Sequence, residues 1–182
     1  MSTKRDLTGG TLDVNPQAIS VALIQTVANS HVEIPVAMPI ARLPKTAGKT
    51  NIIEVLKVVY EFPGPVIFVA GQSNRTVHLY FSTRPVPSAE IHLDFTGLID
   101  LYDLTVHGAF TAGGAYGLRN DNIIYHDLTD GAGHGVLVAT DKMWFGCMSS
   151  GHPDPLPFYI RIYYRFKGVG LTEYIGIVQS QQ

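Results

Sequence analysis

Apolar and polar positions fall into short runs rich in Val, Ile, Tyr and Phe, separated by clusters of Gly, Pro, Asn and Asp. That punctuation predicts an all-β domain, because β-branched and aromatic side chains suit a pleated surface while Gly, Pro, Asn and Asp supply its turns. About eight such runs stand out: Ala18 to Thr26, His31 to Leu43, Thr50 to Phe62, Arg75 to Thr83, Leu98 to Phe110, Asn122 to His126, Gly135 to Met148 in one or two pieces, and Phe158 to Lys167. A ninth, Thr172 to Gln179, is expected to be a further strand closing the chain.

Two runs alternate cleanly. In RTVHLYFST, Val77, Leu79 and Phe81 share one face and Thr76, His78, Tyr80 and Ser82 the other, a core side and a partly wet side. His78 is then a surface residue, since no second metal ligand shares its face. In FYIRIYYRFK, Phe158, Ile160, Ile162, Tyr164 and Phe166 point one way, and Tyr159, Arg161, Tyr163, Arg165 and Lys167 the other. The second face, alternately aromatic and basic, suits phosphates and stacked bases without reading sequence; it equally suits a solvated face or a subunit interface. TNIIEVLKVVYEF is ambiguous: Glu54, Lys57 and Glu61 would line a helix face, but Ile52, Ile53, Val55, Val58 and Val59 favour a strand, which Pro63 and Gly64 would end.

No repeat, low-complexity tract or dividing linker interrupts the pattern, so a short polar lead over 1–16 and one domain over 17–182 are expected. Charged residues make up 15% of the 182, against roughly 25% in typical soluble domains. Much of the surface is therefore neutral, which implies extensive contacts between copies. The net charge of −2 provides no general attraction to polyanions, leaving nucleic acid to local patches. The single cysteine, Cys147, excludes an intrachain disulfide framework and, beside Trp144 and Phe145, reads as a small core residue. The N-terminal stretch lacks an apolar signal region, and no stretch approaches the roughly 20 apolar residues of a span, so no membrane partner is expected.

Catalytic templates fit poorly. PKTAGKT ends like a phosphate loop, but Leu43 stands where its first glycine should be and β-branched residues follow where a helix is required. What survives is a basic loop of Arg42, Lys45 and Lys49 without an acid. The seven histidines never occur two apart, so a strand-borne metal pair is missing, although His92 and Asp94 would share a strand face in EIHLDF. No Gly-x-Ser-x-Gly elbow occurs, and Asp100 and Asp103 would lie on opposite faces of a strand. HDLTDGAGHG, residues 126–135, crowds two histidines and two aspartates together yet matches no calcium or phosphate loop. Asp130-Gly131 marks a tight turn, Gly133 and Gly135 relax the backbone, and a metal held by His126, Asp130 and His134 is the alternative.

HDLTDGAGHGVLVATDKMWFG, IRIYYRFKGVGLTEYIGIVQSQQ and IIEVLKVVYEF resemble capsid proteins of small circular Rep-encoding single-stranded DNA (CRESS-DNA) viruses. The likeness runs from about residue 50 onward and is strongest after Tyr125. It implies a single eight-stranded antiparallel jelly roll, located in the virion, whose copies assemble into a small icosahedral shell around single-stranded DNA. It also implies an arginine-rich N-terminal arm, whereas the lead offers only Lys4 and Arg5. Either the patches Arg42, Lys45, Lys49 and Arg161, Tyr163, Arg165, Lys167 take the arm's part, or packaging is weakly electrostatic. The loops at 84–97 and 149–157 suit contacts or exterior display, and Pro-rich GHPDPLP could hold a fixed shape at a symmetry axis. No enzyme activity and no cofactor are expected; the rival reading is a carbohydrate-binding or trimeric ligand-binding jelly roll.

Overall fold

The structure, a computed structural model, describes residues 16–38, 49–61, 66–68, 74–107, 116–118, 123–140, 142–152 and 154–181. The strands are β1 (Gln17–Ile24), β2 (His31–Ala37), β3 (Lys49–Glu61), β4 (Val66–Phe68), β5 (Asn74–Ser82), β6 (Leu98–His107), β7 (Tyr116–Leu118), β8 (Ile123–Asp127), β9 (Val136–Val138), β10 (Lys142–Ser150) and β11 (Pro157–Gly170), followed by helix α1 (Leu171–Ser180). One sheet has the order β1-β11-β3-β8, with β9 also on β3, and the other β2-β10-β5-β6; all pairs are antiparallel. β8 lies along Lys57–Glu61 and β9 along Ile53–Val55 of the same β3 edge, so the two form one interrupted strand. Counted so, the two sheets contain the eight strands of a jelly roll, with consecutive strands crossing between sheets except for β5 and β6, which pair side by side in one sheet. β4 and β7 form a separate ribbon.

Alternation builds the core. Phe158, Ile160, Ile162, Tyr164 and Phe166 of β11 meet Val77, Leu79 and Phe81 of β5 and Met143, Phe145 and Cys147 of β10 between the sheets. Each fully buried side chain of this size contributes about 1.5–3 kcal/mol relative to exposure. Cys147 is fully buried, which pushes its thiol up to about 12 and leaves it an inert filler. The ambiguous TNIIEVLKVVYEF is a strand: paired along both edges, β3 gains ladder bonds that outweigh side-chain ion pairs of a few tenths of a kcal/mol on an isolated helix.

Three expectations are corrected. The ninth run is helix α1, not a strand. The ladder with β3 ends where Gly170 meets Lys49, and among the described residues no strand continues beside the chain that follows. Leu171, Tyr174, Ile175 and Val178 instead recur at helical spacing, with Glu173 in the first turn favouring the positive end of the helix dipole. The outer face of β5 is wet over only part of its length: Thr76 and His78 are half-buried, but Tyr80 and Ser82 are fully buried, because the 84–97 loop folds back over them and packs Val86 and Ile91 against Tyr80. His92 and Asp94 occupy turns of that loop rather than a strand, and both are exposed.

Candidate functional site

The outer face of the β1-β11-β3-β8 sheet collects the aromatic and basic ladder. β11 keeps strict alternation, so Tyr159, Arg161, Tyr163, Arg165 and Lys167 all point away from the core. Antiparallel register extends the ladder into rows across the strands: Ala22, Tyr159, Glu61 and Ile123; Ser20, Arg161, Val59 and Tyr125; Ala18, Tyr163, Lys57 and Asp127. Neighbouring strands lie roughly 4.8 Å apart, so side chains within a row touch.

At the middle of the rows the short side chain of Val59 floors a shallow depression of about 370 Å³, walled by Tyr125, Tyr159, Tyr163, Arg161 and Glu61. The Lys57 ammonium stands 4.4 Å from the Tyr125 ring centre and 5.9 Å from that of Tyr163, within cation–π range of both. The Arg161 Nε donates to Ser20 Oγ at 3.0 Å, which fixes the guanidinium at the rim. Tyr125 is 60% exposed and Tyr159 39%, so aromatic surface is left uncovered by the described residues. Lys57, Glu61 and Tyr125 escaped the sequence reading because strand register, set by long-range pairing, brings them beside Arg161.

The lower ladder is committed to the fold as well as the surface. Glu54 is fully buried, takes the Arg165 Nε at 2.5 Å and the Gly135 N–H at 3.0 Å, and has Lys167 Nζ at 3.5 Å. Burial pushes its carboxyl up, but the Arg165 and Gly135 hydrogen bonds and the charges of Lys167 and Arg165 together leave it below the usual glutamate value. Arg165 Nη2 also donates to the Gly133 carbonyl at 2.9 Å. Of the other basic patch, Lys49 opens β3 opposite Gly170, while Arg42 and Lys45 lie outside the described residues.

HDLTDGAGHG is the excursion that interrupts the edge strand between β8 and β9. Asp130 closes it: its Oδ1 accepts from Ala132 N and His134 N at 2.9 and 3.0 Å, its N–H donates to the His134 carbonyl at 2.9 Å, and its Oδ2 meets His134 Nδ1 at 3.1 Å. Asp127 caps the preceding step by accepting from the Thr129 N–H and hydroxyl. Gly131 and Gly133 have φ of 80° and 88°, and a Cβ at Gly135 would stand 2.1 Å from the Val55 carbonyl oxygen, so the backbone geometry demands these glycines. His126 faces away from Asp130 and His134, into the space between the sheets, where its Nδ1 meets the Asp100 carboxylate at 2.8 Å. The proposed metal trio is thereby divided. Burial first, then the Asp100 charge, raises the adjoining Tyr60 hydroxyl well above the usual tyrosine range. Asp100 and Asp103 do lie on opposite faces of β6, Asp103 outward beside His78 at 3.4 Å. Sequence spacing offered no signal for the Asp100–His126 contact, which joins different sheets.

No family model and no curated sequence matches the chain. Its fold is similar to that of New Jersey polyomavirus VP1 in the apo form, with a TM-score of 0.56, 12% identity, 86% of this chain and 100% of that chain covered. VP1 of Merkel cell polyomavirus in complex with disialyllactose gives 0.55 at 12% identity over 86% of this chain and 98% of that one. The Merkel cell polyomavirus virus-like particle gives 0.55 at 14% identity over 93% and 81%.

Proposed function

We propose that this chain is a viral capsid subunit, located in the virion, whose copies assemble into a small icosahedral shell enclosing a single-stranded DNA genome without sequence preference. The observation that carries the proposal is the jelly roll itself, two four-strand layers in the order β1-β11-β3-β8 over β2-β10-β5-β6, similar in fold to VP1 chains, one of them in an assembled particle. The low charge content fits surfaces that cover one another. The CRESS-DNA group is the finer assignment, resting on the quoted stretches of sequence. On this reading the protein is no enzyme, holds no cofactor and meets DNA through Arg161 and Tyr163, with Arg165 and Lys167 contributing beyond their tie to Glu54 and with Arg42, Lys45 and Lys49 as the second patch. Sedimentation velocity over a range of salt and pH tests this. Species far larger than the 19.8 kDa subunit, carrying nuclease-protected single-stranded DNA, are expected, whereas a stable monomer or trimer throughout would contradict it.

A carbohydrate-binding role is favoured by one observation: the tyrosine-lined depression, with Arg161 and Glu61 at its rim, offers the aromatic and polar surface that sugars use. VP1 of Merkel cell polyomavirus is itself seen with disialyllactose.

A further inference from the structure

We infer that the depression floored by Val59 is a nucleotide site, in which one unstacked base lies against the tyrosines and its phosphate meets Arg161 and Lys57. This rests on the genome-enclosing reading above and deepens it. Three features of the face carry the inference. Its volume of about 370 Å³ lies in the range that holds a small ligand. Tyr125 and Tyr159 leave aromatic surface exposed on either side of Val59, and a base can stack on such rings whatever its identity. The charges are ordered rather than mixed at random: Lys57, just outside the lining and against Tyr125, lies in the row of Tyr163, Arg161 in the row of Val59, and Glu61 in the row of Tyr159 on the far side.

That order sets an orientation. A phosphate belongs at the Arg161 and Lys57 end, and the edge of the base then reaches Glu61, whose carboxylate can only accept hydrogen bonds. Cytosine N4 and adenine N6 carry amino hydrogens to donate, whereas thymine offers only its N3–H, flanked by two carbonyl oxygens that repel a carboxylate. The site therefore prefers cytosine and adenine to thymine, on single strands, since a paired base would first have to leave its stack.

The test uses the full chain, kept dilute at fixed salt, and fluorescence anisotropy with four labelled hexamers: dC6, dA6, dT6 and an abasic strand. The abasic strand is expected to bind at least tenfold more weakly than dC6, and dT6 about tenfold more weakly, the latter gap narrowing in Glu61→Gln. Tyr125→Ala is expected to weaken dC6 about tenfold, while Tyr125→Phe, which keeps the ring, binds like the parent. Equal binding of abasic and dC6 strands by the parent protein overturns the site without any variant. So does a Tyr125→Ala protein that binds dC6 normally but no longer self-associates, because the face would then belong to a second copy. DNA-filled particles together with equal abasic binding would leave the capsid reading standing and remove this site; base-dependent binding by a protein that never assembles would do the reverse.

Discussion

Glu54 shows how one buried charge constrains several positions. Its carboxylate holds the Gly135 N–H, Arg165 and Lys167 at once, so it ties β3, the HDLTDGAGHG excursion and β11 together. Its folded-state pKa lies below the ordinary value of 4.5, so its contribution to stability is present above about pH 4.5 and is lost as pH falls through the folded value. Glu54→Gln is expected to lose about 1–3 kcal/mol at neutral pH and to flatten the stability profile in that acid range, both read from urea midpoints. The same contact decides which basic residue can test DNA binding cleanly. Replacing Arg161, Arg165 and Lys167 together with glutamine would strand Glu54 without its cations and lower stability. Arg161→Gln alone spares Glu54 and is expected to lower the salt dependence of single-stranded DNA binding by about 0.7 in log–log slope, with the urea midpoint unchanged. Gly146 is equally constrained: an added Cβ would stand 1.9 Å from Tyr80 Cζ, on a ring whose hydroxyl donates to Glu33 and contacts His31 Nε2. Gly146→Ala is expected to cost about 1–3 kcal/mol on a urea curve, since the ring cannot retreat without breaking that network.

At the scale of elements, strands with strict alternation were legible, and elements decided by their neighbours were not. β5 was legible to within a residue at each end and β11 to within three, because alternate positions from Val77 to Phe81 and from Phe158 to Phe166 are Val, Leu, Ile, Phe or Tyr. α1 was misread because Ile175, Ile177 and Val178 favour strands locally, whereas the ladder with β3 ends at Gly170 and leaves the residues beyond it without a described strand to pair with. The 84–97 loop, expected to suit contacts or exterior display, also packs inward: Val86 N donates to Glu33 Oε2 at 3.1 Å, while Leu93 stays 81% exposed. In the Pro-rich 151–157 stretch, His152 and Asn29 exchange two hydrogen bonds, and Gln25 Oε1 accepts from Leu156 N. Helix α1 is anchored through Gln181, whose side chain donates to the Leu137 carbonyl at 2.6 Å and accepts from Ala139 N at 3.2 Å. Gln181→Ala is expected to speed amide exchange at Ala139 by about tenfold, a loss of roughly 1 kcal/mol, while amides of β11 keep their protection.

For the molecule as a whole, residue patterns announced an all-β chain, and the order of strands in the two sheets came from pairings distant in sequence. β1 meets β11, and β2 meets β10, contacts that no local spacing encodes. The candidate face was half legible for the same reason: the Tyr159 to Lys167 ladder is written in one strand, whereas Lys57, Glu61 and Tyr125 join it only through register. Among the described residues, packing of the two sheets leaves the outer face of β1-β11-β3-β8 rich in tyrosine, suited to covering by DNA or by another copy. The central claim is that copies of this subunit close into a shell. Electron microscopy of the purified full chain tests it most directly: uniform closed particles with nucleic acid inside are the expected image, and a field of dispersed single subunits or trimers, unchanged across salt and pH, would contradict it.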